Sequence, residues 1–171
     1  MNTYETMLKR RSCKKYKSDA VSDELIDKVV NAGLYAASGK NRQASIIIAV
    51  TDKEVRDELS ALNAKILGSD IDPFYNAPAV LVVLADRDIN TYLYDGSLTM
   101  GNMMLAAEEL GLGSCWIHRA KEMFDTDEGK ALLAKLGIEG DYEGIGNLVI
   151  GYSDQGEKVA PPRKENRVYK I

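Results

Sequence analysis

Residues 79–85 read AVLVVLA, seven apolar side chains in unbroken succession between Pro78 and Asp86, and residues 45–50 read SIIIAV. Both runs are too short for a buried helix and too rich in β-branched residues to favour one, so they read as strands. A strand with no polar face has no side to turn to water, and it must be covered above and below. Two such strands therefore require a sheet with helices on both faces. The expected architecture is a three-layer α+β domain.

The rest of the chain supplies the layers. Residues 2–9 suit a short helix with Tyr4, Met7 and Leu8 inward, ending in basic residues. Ser22 is a plausible N-cap, with Asp23 and Glu24 in the first turn, and Leu25, Ile26, Val29, Val30, Gly33 and Leu34 form one apolar face to near Ala37. Thr51 and Glu54 have capping-box spacing, and Val55, Leu59, Leu62 and Ile66 follow at helical intervals before Gly68. Residues 68–78, GSDIDPFYNAP, form a loop. The longest helix is expected over 91–110, and its lower half, with Met100, Met103, Met104, Ala106, Ala107 and Leu110, is apolar on most sides and suits the middle of the protein or a subunit interface. A short strand follows in GLGSCWI, then a helix over 127–136 closed by Gly137, then a fourth strand over 144–151. After Tyr152 helical periodicity stops. The chain of 171 residues reads as one domain, 1–171, with a tail over about 153–171 that is disordered or lies as an extended arm on another subunit.

The formal net charge of -4 conceals a division. Residues 1–17 carry six basic side chains against Glu5, residues 161–171 carry four against Glu165, and the body between holds 12 basic and 24 acidic residues. A mildly acidic chain has two basic ends. The acidic body argues against a nucleic-acid partner. Two cysteines, Cys13 and Cys115, without a CxxC pair or a histidine cluster, argue against a zinc site and a secreted disulfide framework, which makes a reducing cytoplasm the expected location. No apolar run reaches the ~18 residues of a membrane span, and no signal-peptide pattern opens the chain.

Chemistry by a side-chain nucleophile is poorly provided for. His118 is the only histidine; it lies three residues after Cys115, which on a strand sends the two to opposite faces. GxxxxGK[ST], HExxH and GxGxxG patterns are all absent. If the chain is an enzyme, its reactive group is expected to be a cofactor.

Four segments could hold one. Residues 9–17, KRRSCKKYK, carry six cations in nine positions and suit a phosphate, a nucleic acid or plain solvation. Residues 37–43, ASGKNRQ, are a polar loop between a helix and a buried strand, an ordinary connection by itself, although amides can also read the edge of a heterocycle. Residues 113–119, GSCWIHR, bring the only Trp and the only His to a strand end, where a core Trp is the commoner explanation. In Pro161, Pro162, Arg163 and Lys164 paired prolines fix an extended approach for two cations.

Taken in this order, RRS, ASGKNRQ, NAPAVLVVLAD, GNMMLAAEELGLGSCWI, IGNLVIGYS and the late PPRK resemble the FMN-dependent nitroreductase family across essentially the whole chain. The long apolar helix running through LGLG into a Cys-Trp strand is the most specific part. One departure is local: family members often have Pro-Trp after the loop glutamine, whereas Ala44 and Ser45 follow Gln43 here.

The resemblance implies a three-layer nitroreductase-like fold, with a mixed or antiparallel central sheet and a C-terminal arm exchanged in a homodimer that binds FMN at the subunit interface. It implies an oxidoreductase that takes hydride from NAD(P)H and reduces a nitroaromatic, quinone-like or related small-molecule oxidant; the alternative is an FMN-binding carrier or sensor without turnover. In proteins similar to this one, Arg10, Arg11, Ser12 and Lys14 would hold the phosphate and ribityl chain, joined by Arg163 with Lys164 as its substitute. Ser38, Gly39, Lys40 and Asn41 would reach the flavin of the neighbouring subunit. Asn63 would read the pyrimidine edge. His118 and Arg119 would present backbone N–H groups near flavin N5.

Overall fold

The computed structural model describes residues 2–171. Its elements are α1 (Thr3–Lys9), α2 (Asp23–Leu34), a 3-10 turn (Gly39–Asn41), β1 (Ser45–Val50), α3 (Lys53–Leu67), β2 (Ala79–Asp86), α4 (Tyr92–Glu109), β3 (Gly113–Ile117), α5 (Ala120–Asp125), α6 (Asp127–Lys135) and β4 (Tyr142–Gly151). The strands form one antiparallel sheet in the order β1-β2-β4-β3.

The period of two along β2 builds the layers. Val80, Val82 and Leu84 enter one core with Leu59, Phe74, Met123 and Phe124, while Ala79, Leu81, Val83 and Ala85 enter a second with Ile26, Val29, Met100 and Met103. The first core is roofed by α3, α5 and α6, the second by α2 and α4. Gly33 permits the close approach within the second layer, since a Cβ there would lie 2.7 Å from Met103 Cγ. Opposite Val83 and Leu84, β4 carries one extra residue, Ile145, a bulge in the ladder.

Three local expectations change. β1 is an edge strand, and Ser45, Ile46 and Ile47 are only half buried, because no strand among the described residues pairs its outer side. A short apolar run does not distinguish a central strand from an edge that another chain covers. On α1 the buried side chain is Thr6, whose hydroxyl donates to Glu109 at 2.5 Å, while Tyr4, Met7 and Leu8 are exposed. The N-cap of α3 is Asp52, accepting from Val55 N at 2.9 Å, one residue after the expected Thr51. The capping-box spacing is met at α1 instead, by Asn2 and Glu5.

The loop before β2 is held by Asp72. Its carboxylate accepts from Arg56 Nη2 at 2.6 Å, from the Phe74 and Asn76 amides at 2.8 and 2.6 Å, and from the Ser60 hydroxyl. Burial pushes the Asp72 carboxyl up, but the bonds from Ser60, Arg56 and the two amides outweigh it and hold the group below the ordinary carboxylate value. A depressed folded-state pKa contributes stability that is whole above the unfolded value, about 3.9, and is lost as pH falls through the folded value. Asp72→Asn is therefore expected to lower the melting temperature at pH 7 by about 6 °C, a cost of about 2 kcal/mol, and to flatten the acid limb below pH ~4. Superimposable acid limbs in thermal melts would show that the carboxylate does not carry this dependence.

Candidate functional site

In the segment 10–17, residues 12–13 lie against the free side of β3, and residues 15–17 lie beside the chain that leaves β4, at 152–154. Ser12 bridges Ser114 in parallel, Cys13 N donates to Ser114 O at 2.9 Å, and Lys17 N donates to Tyr152 O at 2.9 Å. Tyr16 fastens it: its hydroxyl donates to Cys13 O at 2.8 Å, and burial pushes its pKa far up, so it keeps its proton. The tail adds a clasp, with Gln155 Nε2 and Lys158 Nζ both donating to Ser12 O at 3.2 Å and Lys14 N donating to Gln155 Oε1 at 3.0 Å.

Burial raises the Cys115 thiol, Ser12, Lys14 and Arg10 oppose that rise, and Cys13 adds to it. Arg10 Nη1 is buried without a partner. Arg11 Nη1 donates to Arg10 O at 2.5 Å, its Nε is buried unpartnered, and it lines a cleft of about 250 Å³ with Lys9, Glu108, Gly113 and Lys158. The two neighbouring guanidinium groups thus differ in their surroundings, Arg11 holding a backbone carbonyl beside a cleft wall that carries Glu108 and Arg10 Nη1 having no partner.

The polar loop is pinned from α4. Gly39 N donates to Asp95 Oδ1 at 3.0 Å, Thr91 Oγ1 donates to Asp95 Oδ2 at 3.0 Å, and Ser38 Oγ accepts from Gln43 N at 3.1 Å. Asp95 is buried. Lys40, Asn41 and Gln43 all have positive φ, 54°, 54° and 52°, a conformation that costs non-glycine residues of order 1 kcal/mol each and that these anchors sustain. The side chains of Lys40 and Asn41 sit at the outer turn of the loop, with Lys40 exposed.

At the end of β3, His118 is exposed and Arg119 adopts φ 73° before α5 begins. Asn63 is wholly buried: Nδ2 donates to His118 O at 2.8 Å, and Oδ1 accepts from Arg119 Nε at 3.1 Å. The expected edge-reading amide is occupied within its own chain, fixing the corner at His118 and Arg119. Asn147, a second buried amide, donates to His118 O at 3.4 Å.

Among the described residues no hydrogen bond joins residues 161–171 to residues 2–17. Arg163 Nε and Nη2 both donate to Pro161 O, at 3.2 and 2.7 Å, and Arg163 and Lys164 are exposed. The residues that sequence reading missed are Asp95, Asn147, Gln155 and Lys158. Asn147 had a signal, as the one polar side chain in the apolar run of β4; Asp95, in mid-helix, had none. Among the described residues no cluster of His, Cys, Asp and Glu suits a metal ion, and no helix is long and apolar enough to cross a membrane.

A model of the nitroreductase family matches residues 7–69 and 70–152. A protein of Archaeoglobus fulgidus named for NADH dehydrogenase or NAD(P)H nitroreductase activity is 34% identical over 149 residues, covering 84% of this chain and 80% of its own. The NADPH-flavin oxidoreductase of Vibrio harveyi is 30% identical over 172 aligned positions, covering 94% of this chain and 69% of its own. Among solved structures, a nitroreductase with bound FMN from Desulfitobacterium hafniense superposes with TM-score 0.87 at 26% identity, each chain covered fully. An FMN-dependent nitroreductase from Clostridium difficile does so with TM-score 0.76 at 34% identity, over 91% of this chain and 90% of that one. With this sheet order, the RRS segment set against β3 and a family match over nearly all of its structured length, the chain belongs to the nitroreductase family.

Proposed function

We propose that the chain is an NAD(P)H-dependent FMN oxidoreductase that acts as a homodimer and reduces nitroaromatic, quinone-like or related electron-poor molecules. The observation that carries this reading is the buried, unpartnered Nη1 of Arg10, two and four residues before Ser12 and Lys14. A buried donor without an acceptor costs about 1–3 kcal/mol, and a phosphate monoester removes that cost while matching a guanidinium fork, a hydroxyl and an ammonium group. The donor set therefore fits the phosphate end of FMN.

When bound, FMN supplies two-electron transfer from a reduced nicotinamide to an electron-poor acceptor, which explains why no nucleophile motif is needed. The chain's own work is binding and orientation. Arg10, Ser12 and Lys14 hold the phosphate, the loop with Ser38, Gly39, Lys40 and Asn41 walls the neighbouring subunit's site, and the corner at His118 and Arg119 offers backbone donors to the ring. Arg163, with Lys164 beside it, reaches the phosphate from the partner.

The need for a partner rests on surface chemistry. Tyr4 and Met7 of α1, Leu34 of α2, Tyr94 of α4 and Tyr169 of the tail are exposed apolar groups that a second copy would cover. The free edge of β1 is another such surface.

The decisive measurement is anaerobic. The purified protein is expected to be a yellow dimer whose flavin band bleaches with NADH or NADPH and returns when a nitroaromatic or quinone is added. A protein that stays colourless with added FMN would overturn the reading, and one that binds FMN but is not bleached would make it a carrier.

A further inference from the structure

Two fully buried asparagines from distant parts of the chain, Asn63 on α3 and Asn147 on β4, converge on one backbone oxygen. Asn63 Nδ2 donates to His118 O at 2.8 Å, and Asn147 Nδ2 is shared between His118 O at 3.4 Å and Ile117 O at 3.5 Å. Both amides also lie against Met123 Sδ, at 3.2 and 3.4 Å. Every neighbour of the Asn147 amino group is an acceptor, so the amide cannot be turned over without setting oxygen against oxygen. Asn147 Oδ1 is consequently left buried with no donor. Packing alone does not account for such a residue, because a leucine of similar size would carry no unsatisfied oxygen.

The His118 carbonyl and the Arg119 N–H belong to the same peptide unit. The peptide bond between them is trans, so the two groups point in opposite directions. With the carbonyl drawn inward by the asparagines, the Arg119 N–H is directed away from the buried pair, and no acceptor takes it among the described residues. Arg119 is fixed in its positive-φ conformation by the bond from its Nε to Asn63 Oδ1 at 3.1 Å. Hydrogen bonds to a carbonyl strengthen the N–H of the same peptide as a donor, by about 10–30% per bond.

We propose that Asn63 and Asn147 are positioning residues, a paired amide clamp on the His118 carbonyl that aims and strengthens the Arg119 N–H as a donor to the bound cofactor. This rests on the FMN reading above. A donor that bonds the electron-rich reduced ring better than the oxidised one raises the cofactor's reduction potential, so the clamp sets how readily this flavoprotein accepts hydride.

The test compares wild type, Asn147→Leu and Asn63→Leu in the FMN-loaded full chain. The midpoint potential is expected to fall in both variants, by the equivalent of about a tenfold loss in the preference for reduced over oxidised FMN, with affinity for oxidised FMN changed less than about threefold. The Arg119 amide proton should move upfield in NMR spectra of both, with or without FMN. Asn147→Leu should melt no lower than wild type, since it removes the unsatisfied oxygen. A potential and an Arg119 resonance unchanged in Asn147→Leu would overturn the clamp, as would a potential shift that merely tracks a lowered melting temperature. If Asn147→Leu fails to fold, Asn63→Leu decides by the same two readouts. Failure of the wild type to bind FMN at all would overturn the functional reading instead, and the Arg119 resonance would still decide whether the clamp exists.

Discussion

Replacing Arg10 by alanine is expected to weaken FMN binding about a hundredfold, against less than about fivefold for Arg11→Ala and threefold for Lys17→Ala. A charge-assisted hydrogen bond in a buried setting is worth about 1.5–3 kcal/mol, and each 1.4 kcal/mol is a factor of ten. Arg10 has an unpartnered buried Nη1, so its loss removes a donor that a phosphate would satisfy. Arg11 turns into the cleft with Glu108 and Lys158, and exposed Lys17 contributes only a screened charge. Fluorescence titration of FMN into the three variants checks the order. Equal losses for Arg10→Ala and Arg11→Ala would mean that both guanidinium groups serve one phosphate.

The family resemblance implied both arginines for that phosphate. Their identity and spacing were legible, but the surroundings of each guanidinium group depend on a backbone fixed by the bond from Cys13 N to Ser114 O, more than a hundred residues away. The same limit recurs at other points. The alternation of β2 between two cores follows directly from AVLVVLA, and the three layers with it. Whether β1 is central or at an edge does not follow, because three isoleucines record only that their environment is apolar. Helix α5 escaped notice because it has six residues, begins after a positive-φ arginine and has no capping side chain. Asn63 was legible as a functional amide from resemblance, whereas its actual bonds, and the partnership with Asn147, arise from where α3 and β4 cross the end of β3. Local pattern reports what a residue needs, and long-range pairing decides which neighbour provides it.

Gly144 has the tightest surroundings of the sheet glycines, and Gly144→Ala is expected to destabilise the protein by about 3 kcal/mol, lowering its melting temperature by roughly 10 °C. A Cβ on Gly144 would overlap the carbonyl carbon and oxygen of Ala120 and lie 2.8 Å from Lys121 N. All three are backbone atoms of the first turn of α5, so no side-chain rotation relieves the overlap, and the helix itself must move. Gly146 offers the contrast. A Cβ there would meet Trp116 Nε1 at 2.5 Å and Met100 Cε at 3.0 Å, side-chain atoms of which the methionine at least can yield. Gly146→Ala should therefore cost less. The displacement at Gly144 is transmitted to the corner at His118 and Arg119, which immediately precedes α5, so Gly144→Ala should also lose FMN at temperatures where it is still folded. Thermal melts and FMN retention at 20 °C, measured side by side, test both parts: a smaller cost at Gly144 than at Gly146 would place the rigid contact elsewhere, and normal retention would separate the start of α5 from the cofactor site.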